Sequence, residues 1–400
     1  MMAGGVDHEN ENELAGATAK PLLAGIRIAI DARYLRQPGM GIHNYLSAGI
    51  KLIISEGADV TLLTNFDSGD LSKDFPGARW ERFGSRHDTL WDQFDLPRHL
   101  RKRTFHFYWA PGNNGIPWRA TGATKKVSTT HDIIPLRLPR MYLYRRPLFA
   151  LSYFASTLSG ILRSDILITV SEASARDIYR TFHKRATVIS SQLVLREKVK
   201  RLEQLTHNLF DRDYLIYTGG LDPRKNVKNL LEAFAISLQD LPALRLVIIG
   251  HGTEALRPLI KELNIMNNVD LTGYISDEEK FSLLSGARAL VYPSLYEGFG
   301  LPILEAFAAD LPVLTCRNSS LVEVARDAAV YVEPDSPASI AEGIAAILRT
   351  DVAESKRTLG RQRLKMYDPL EARRKLIEVF ATNLSMPHSS RKLFKLPRSK

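Results

Sequence analysis

The sequence predicts an α/β protein built from two Rossmann-like domains that face a central cleft. Three observations carry this expectation. Short apolar, β-rich runs alternate with helical runs, and the alternation occurs twice along the chain. A length of 400 residues exceeds one ordinary core and suits two domains of ordinary size. In both halves a glycine turn follows a strand, which is where a parallel sheet binds its ligands.

Composition narrows the class. At 44% hydrophobic and 24% charged, the chain resembles an ordinary water-soluble globular protein. Its single cysteine, Cys316, excludes an internal disulfide and a multi-cysteine metal site, which suits a reducing, cytoplasmic compartment. No apolar run approaches bilayer length, and no signal-peptide pattern is present. The formal charge of +10 points to an anionic partner: nucleotide, nucleic acid or membrane surface.

Taken in order, residues 1–25 are polar and acidic, then Ala/Gly-rich, and read as a disordered tail. Residues 26–200 form the first domain. Ile26–Arg33 is its first strand, followed by Gly39-Met-Gly41 and a helical run to about Ile54. A glycine loop between first strand and first helix can approach a phosphate closely, although most such glycine pairs are only turns. Val60–Thr64, Phe105–Ala110, Val127–Thr130 and Ile166–Val170 read as further strands, and His87–Arg103 as an amphipathic surface helix. His131-Asp132 follows the fourth of these strands, at the carboxyl end where a site residue belongs. Asp132 suits a loop brace. Ser171-Glu-Ala-Ser174 reads as a helix cap.

From Arg98 to Arg146 cations crowd the chain, among them Arg101, Lys102, Arg103, Arg119, Lys125, Lys126, Arg137, Arg140 and Arg145, against the acid Asp132. Aromatics interleave at Tyr142, Tyr144, Phe149, Tyr153 and Phe154. Such a face fits nucleic acid, anionic lipid headgroups or plain solvation; the last is the default for scattered charge, and a membrane surface is the preferred functional reading.

Leu195–Asp213 is charged and lacks strand character, so the domain linker falls there; residues 201–369 form the second domain. Asp211-Arg-Asp213 has the spacing of a metal-diphosphate motif but precedes its strand, at the wrong end for a crevice, so no metal is assigned. After strand Tyr214–Thr218, the run Gly219-Gly-Leu-Asp-Pro-Arg-Lys-Asn226 opens a helix, and Arg224 or Lys225 is placed to neutralise a diphosphate. Leu246–Gly250 and Val269–Gly273 are strands, the latter followed by Tyr274-Ile-Ser276. A helix from Asp277 to Gly286 comes next, then the strand Val313–Cys316, a helix at Ser339–Leu348 and a last helix at Leu370–Leu384. Residues 386–400 form a basic tail.

Ala289–Pro312 is the most informative stretch. Ala289–Tyr292 is a buried strand, Pro293 stops it, and Gly298 and Gly300 make a permissive loop before Pro302 starts a helix. Amides near Gly300, Leu301 and Ile303 would favour an anion. Glu297 and Glu305 would repel one; they suit the vicinal hydroxyls of sugars instead. For Glu305 alone, complementing the helix dipole is the simpler explanation. A ligand that carries phosphate between two polyols is a nucleotide-sugar.

The sequence from Glu297 to Ala306, E-G-F-G-L-P-I-L-E-A, resembles the E-x7-E signature of the retaining glycosyltransferases of family 4, which have the GT-B fold. His131-Asp-Ile-Ile-Pro135 and the Gly41 loop are similar to that family too, and the resemblance spans about Ile26 to Leu384. It implies that Gly41 faces the donor diphosphate, that Gly220 belongs to the donor site and that backbone near Tyr274 receives the base. His131 would approach the transferred sugar, Glu297 would grip the hexose and Glu305 the ribose. Gly298, Phe299, Gly300 and Leu301 would line the donor, and Arg224 and Lys225 would stabilise the leaving diphosphate. It further implies retention of anomeric configuration without a metal ion, and a last helix (370–385) that crosses back onto the first domain. The expected donor is GDP-mannose, with a UDP-sugar as the alternative. The acceptor is a saccharide or a lipid-linked one, met at the inner face of a membrane during polysaccharide or glycolipid synthesis. A GT-B nucleotide-sugar epimerase and a basic nucleic-acid-binding protein are the other classes; the paired glutamates speak against both, and no nucleic acid partner is expected.

Overall fold

A computed structural model describes residues 21–36, 41–143, 147–191 and 213–384. The first half holds strands β1 (Arg27–Asp31), β2 (Asp59–Thr64), β3 (Arg79–Arg82), β4 (Phe107–Ala110), β5 (Lys125–Thr129), β6 (Ile166–Thr169) and β7 (Thr187–Val188). The second holds β8 (Tyr214–Thr218), β9 (Arg245–Ile249), β10 (Val269–Gly273), β11 (Ala289–Tyr292), β12 (Val313–Cys316) and β13 (Ala329–Val332). Every pair is parallel, in the orders β3-β2-β1-β4-β5-β6-β7 and β10-β9-β8-β11-β12-β13. Both are doubly wound, with the direction of winding reversing between β1 and β4 and between β8 and β11. Loops leaving the carboxyl ends of these strands diverge there and open a crevice in each half.

Parallel strands covered on both faces need continuous apolar runs. Leu215–Tyr217, Leu246–Ile248 and Leu290–Tyr292 supply them and are buried. At the mouth of the second sheet the turns after β8 and β9 touch backbone to backbone. A Cβ on Gly250, at φ +152°, would lie 1.9 Å from the Gly219 carbonyl oxygen, so only glycine is accommodated.

Several elements depart from the sequence expectation. β3, Arg-Trp-Glu-Arg, and the two-residue β7 are edge strands. Their pairing is carried by backbone bonds to a neighbour, which leaves little apolar pattern to find. The first strand ends at Asp31, two residues early, because the Arg33 guanidinium folds back onto Asp31 (2.7 Å) and reaches Asp92 (2.5 Å). Trp91, expected on a surface helix, is fully buried and donates Nε1–H to the Phe83 carbonyl at 3.0 Å. Pro21–Gly25, assigned to the tail, is described, and Leu23 is buried with its amide on the Glu56 carbonyl at 3.0 Å. Helices Pro147–Arg163 and Thr350–Lys365 were not anticipated. The linker apart from Asp213, residues 1–20, residues 386–400, and Gly39, Tyr144, Arg145 and Arg146 lie outside the described residues.

The last helix, Pro369–Thr382, follows the second sheet in sequence but packs on the first. Phe380 is fully buried with its ring edge-on to Phe107 (5.3 Å) and Trp109 (6.1 Å). Leu376 and Trp109 lie against Gly49 of helix Gly41–Ser55, where a Cβ would come within 2.6 Å of the indole. The helix therefore completes the first core. All four tryptophans, Trp80, Trp91, Trp109 and Trp118, lie in the first half, so their fluorescence reports on that half alone. Phe380→Ala is expected to destabilise the tryptophan-reported transition by about 3–5 kcal/mol, and Phe380→Leu by less than about 1.5 kcal/mol. Equal midpoints for Phe380→Ala and wild type would show that the helix merely rests on the first half.

Candidate active site

The two crevices face each other across one cavity of about 400 Å³. Gly41, His131, Arg224, Lys225, Glu297, Gly298, Phe299, Gly300, Leu301 and Glu305 all line it. Gly220 and Tyr274 are not among its lining residues, whereas Gly219, Tyr292 and Lys280 are. A larger hollow, about 770 Å³, lies beside Asp213, Arg245 and Arg288 at the amino ends of β8 and β9. Its cations are already paired, Arg245 with Asp270 (2.5 Å) and Arg288 with Asp213 (2.7 Å). The chemistry converges on the smaller cavity.

Glu297 stands at its centre. After β8 the chain turns through the 3₁₀ segment Pro223–Lys225, started by the Asp222 carboxylate accepting the Arg224 amide at 3.1 Å. That turn presents both cations to the loop after β11. Arg224 Nη1 meets Glu297 Oε2 at 2.5 Å and the Tyr296 carbonyl at 3.1 Å; Lys225 Nζ meets Glu297 Oε1 at 2.7 Å. Tyr292, at the end of β11, donates its hydroxyl to Oε1 at 2.8 Å. The sequence left open which cation belongs to the site, and the fold brings both. Burial alone would raise the Glu297 carboxyl, but the charges of Arg224 and Lys225 outweigh it and bring it down to about 2. Burial lowers the Lys225 ammonium despite Glu297, while Arg224 is held firmly charged as Glu297 and neighbouring acids outweigh its burial.

Glu305 lies on helix Leu301–Ala308, which follows Gly300 at φ +101°. It is the fifth helical residue, beyond the first turn, so complementing free N–H groups does not account for it. Its side chain is buried and pairs with Lys280 at 3.2 Å; Lys280 also meets Asp277 at 3.2 Å. The sequence reading missed Lys280. A lysine three residues after an acid in a helix carries no signal until β10 and β11 bring the two helices together. The expectation of free amides at the helix start is corrected at Ile303, whose N–H donates to the Gly300 carbonyl at 3.0 Å.

On the opposite wall the His131 amide donates to Asn113 Oδ1 at 2.9 Å, and Nε2 lies 2.8 Å from the Pro111 carbonyl. A carbonyl only accepts, so Nε2 carries the proton and Nδ1 the lone pair. Burial lowers the imidazole, which Pro111 and Asp132 only partly offset, so the ring is neutral at pH 7. Asp132 braces the loop, accepting the Ile134 amide at 3.1 Å. Tyr274 is half exposed and stacks on His251 at 4.5 Å, and the Gly220 carbonyl accepts the Tyr217 hydroxyl at 3.1 Å.

The Glu297 clamp has a consequence for stability. Its folded value, about 2, lies below the ordinary 4.5, so its stabilisation is complete above about pH 4.5 and is lost as pH falls towards 2. Between about pH 7 and 3 the wild type is expected to lose roughly 2 kcal/mol more than Glu297→Gln, read from denaturant midpoints. Parallel pH profiles would mean the carboxylate is no more acidic in the fold than out of it.

Comparison with known proteins bears on both halves. The family model described as Glycosyltransferase Family 4 matches residues 41–191, and that described as Glycosyl transferases group 1 matches residues 202–366. O-antigen chain mannosyltransferase B of Escherichia coli is 31% identical over 265 residues, covering 63% of this chain and 68% of the relative. The solved structure of sucrose-phosphate synthase from Thermosynechococcus elongatus has a TM-score of 0.69 at 17% identity, covering 89% of this chain and 98% of that one. HepE from Anabaena, solved in complex with UDP and glucose, has a TM-score of 0.68 at 16% identity, covering 89% and 100%. These two neighbours share the fold: two doubly wound halves around a cleft. With each half matched and the site assembled between them, the chain belongs to the glycosyltransferases of family 4 and has the GT-B fold.

Proposed function

We propose that this enzyme transfers a hexose, mannose by preference, from a nucleoside-diphosphate sugar to a saccharide or lipid-linked acceptor in surface polysaccharide or glycolipid synthesis, with retention. The observation that carries the reading is the distribution of charge in the cavity. Arg224 and Lys225 against Glu297 leave a net positive end, whereas Asp277 and Glu305 against Lys280 leave a net negative end. A diphosphate suits the first and the neutral hydroxyls of a ribose the second. Glu297 then takes a hexose hydroxyl, with neutral His131 facing the same sugar. Backbone at Gly298–Leu301 lines the donor, and Gly41 faces the diphosphate from the opposite wall. The base is assigned to the backbone near Tyr274. As the glycosidic bond breaks, the cations stabilise the growing charge on the leaving diphosphate without moving, which is the term preorganised sites supply best. GDP-mannose is preferred because the Escherichia coli relative that matches 63% of this chain is named a mannosyltransferase; HepE was solved with UDP, which keeps UDP-sugars in the test.

The test is release of nucleoside diphosphate from a panel of GDP- and UDP-sugars, with the anomeric configuration of the product read by NMR. Glu305→Ala should keep the fold and weaken nucleoside diphosphate binding by about 1.5–3 kcal/mol in calorimetric titration. Unchanged affinity would remove Glu305 from the donor site.

The membrane reading finds support on part of the surface the sequence singled out, Arg119 and Phe154, extended by apolar residues it did not name. Within the Arg98–Arg146 cluster, Lys126 pairs with Asp165, Arg137 with Asp177, and Tyr142 donates to Asp222, so these groups already have partners in the fold. Helix Pro147–Arg163 instead exposes Leu148 (83%), Leu151 (64%), Phe154 and Leu162. At its end Arg163 donates to the Trp118 carbonyl at 2.5 Å, and Arg119 lies 4.4 Å over the exposed Phe94 ring. Apolar side chains rimmed by arginines suit an anionic bilayer surface at the cytoplasmic face. No helix among the described residues is long and apolar enough to cross a membrane. Binding to vesicles with anionic lipid is expected at low salt, weaker at high salt and reduced in Leu148→Asp/Leu151→Asp. A protein that ignores such vesicles at low salt overturns the membrane reading.

A further inference from the structure

The loop Tyr296–Gly298 belongs to the second half, yet a helix of the first half holds it. Ser171, Ser174 and Asp177 recur at every third residue from the cap of helix Glu172–Phe182, which puts them on one face. Ser171 Oγ donates to the Gly298 carbonyl at 2.7 Å, and Ser174 Oγ donates to the same oxygen at 3.2 Å. Asp177 accepts the Tyr296 hydroxyl. All three first-half residues are buried.

The residue between, Glu297, is held from its own half. Helix Ser319–Ala325 offers Ser319 Oγ to the Glu297 amide at 3.0 Å and Ser320 Oγ–H to its carbonyl at 2.8 Å. The same helix sends Glu323 the other way. Its carboxylate accepts the amides of Glu172 and Ala173 at 3.0 and 2.9 Å, at the start of the first-half helix, where free N–H groups favour an acid. Gly298 leaves no room between the halves: a Cβ there would lie 3.1 Å from both the Asp132 carboxylate and the His131 carbonyl. Bonds that close the halves thus hold the residues on either side of Glu297, Tyr296 and Gly298.

We propose that Ser171, Ser174 and Glu323 are positioning residues that clasp the two halves and couple their closure to the placement of Glu297. The role given to Glu297 rests on the donor reading above; the clasp itself does not. When the halves part, the Gly298 carbonyl loses both serine donors and the start of helix Glu172–Phe182 loses its carboxylate. The loop carrying Glu297 then keeps only its bonds to the second half. On the donor reading the cations assigned to the diphosphate, Arg224 and Lys225, both belong to the second half and lie outside the clasp. Opening therefore costs the nucleotide only the Gly41 wall and affects transfer more than nucleotide binding.

The experiment compares wild type, Ser171→Ala/Ser174→Ala, Glu323→Gln and Ser171→Thr/Ser174→Thr. Small-angle scattering without nucleotide reads closure, calorimetry reads nucleoside diphosphate affinity, and steady-state kinetics read kcat. The alanine and glutamine variants are expected to show a larger radius of gyration and a kcat lowered by about tenfold to 10²-fold. Their nucleoside diphosphate affinity should stay within about twofold, and the threonine variant, which keeps both hydroxyls, should return to the compact radius. An unchanged radius overturns the clasp whatever the donor proves to be. An expanded radius with unchanged kcat, or equal losses in affinity and kcat, overturns its coupling to Glu297.

Discussion

The buried ion triad of Glu297, Arg224 and Lys225 is the constraint on which the rest depends. A charge taken out of water is costly unless it is paired and hydrogen-bonded, and breaking such a group leaves an uncompensated buried ion. Each member needs the others: Glu297 accepts from both cations and from Tyr292, while Arg224 also holds the Tyr296 carbonyl. The triad therefore locks the turn after β8 to the loop after β11. These are the strands between which the second sheet reverses its winding. The site sits at a topological switch point because its charges hold that switch point in shape.

Two backbone approaches make the arrangement possible. Gly250 lets the turn after β9 lie against the Gly219 carbonyl, which sets the floor under the Pro223–Lys225 turn. Gly298 lets the loop after β11 meet His131 and Asp132 of the other half. A side chain at either position would push apart segments whose polar groups are paired. Both sites thus trade a side chain for proximity, and Gly298 directly follows Glu297 of the triad.

The two halves are joined at two places by different physics. Helix Pro369–Thr382 seals the first core with apolar burial, through Leu376 and Phe380. The Ser171–Glu323 region joins them with hydrogen bonds to a loop and a helix start. Apolar burial is indifferent to small shifts, whereas hydrogen bonds weaken steeply once angles and distances open. The first therefore behaves as a fixed strap and the second as a clasp that releases. The exposed apolar face of helix Pro147–Arg163 belongs to neither junction, which leaves it available to an outside surface.

Much of this was legible in the sequence. The apolar runs of β8 to β12, the glycine turns and the spacing of Glu297 and Glu305 are local features. Local propensity specified the alternation of strands and helices, and the family resemblance pointed to most of the residues that line the cavity. What the sequence could not contain was partnership. Lys280 acquires meaning only when Glu305 is 3.2 Å away, and that Arg224 and Lys225 share one carboxylate appears only in the folded chain. β3 and β7 were invisible because edge pairing uses backbone groups that every residue carries. Ser171 and Ser174 read as an ordinary helix cap, since nothing in a serine's neighbours along the chain announces a carbonyl 127 and 124 residues away. Sequence determined where strands end and which residues crowd those ends; tertiary structure decided which of them touch, because contact between distant segments depends on packing that no local pattern encodes.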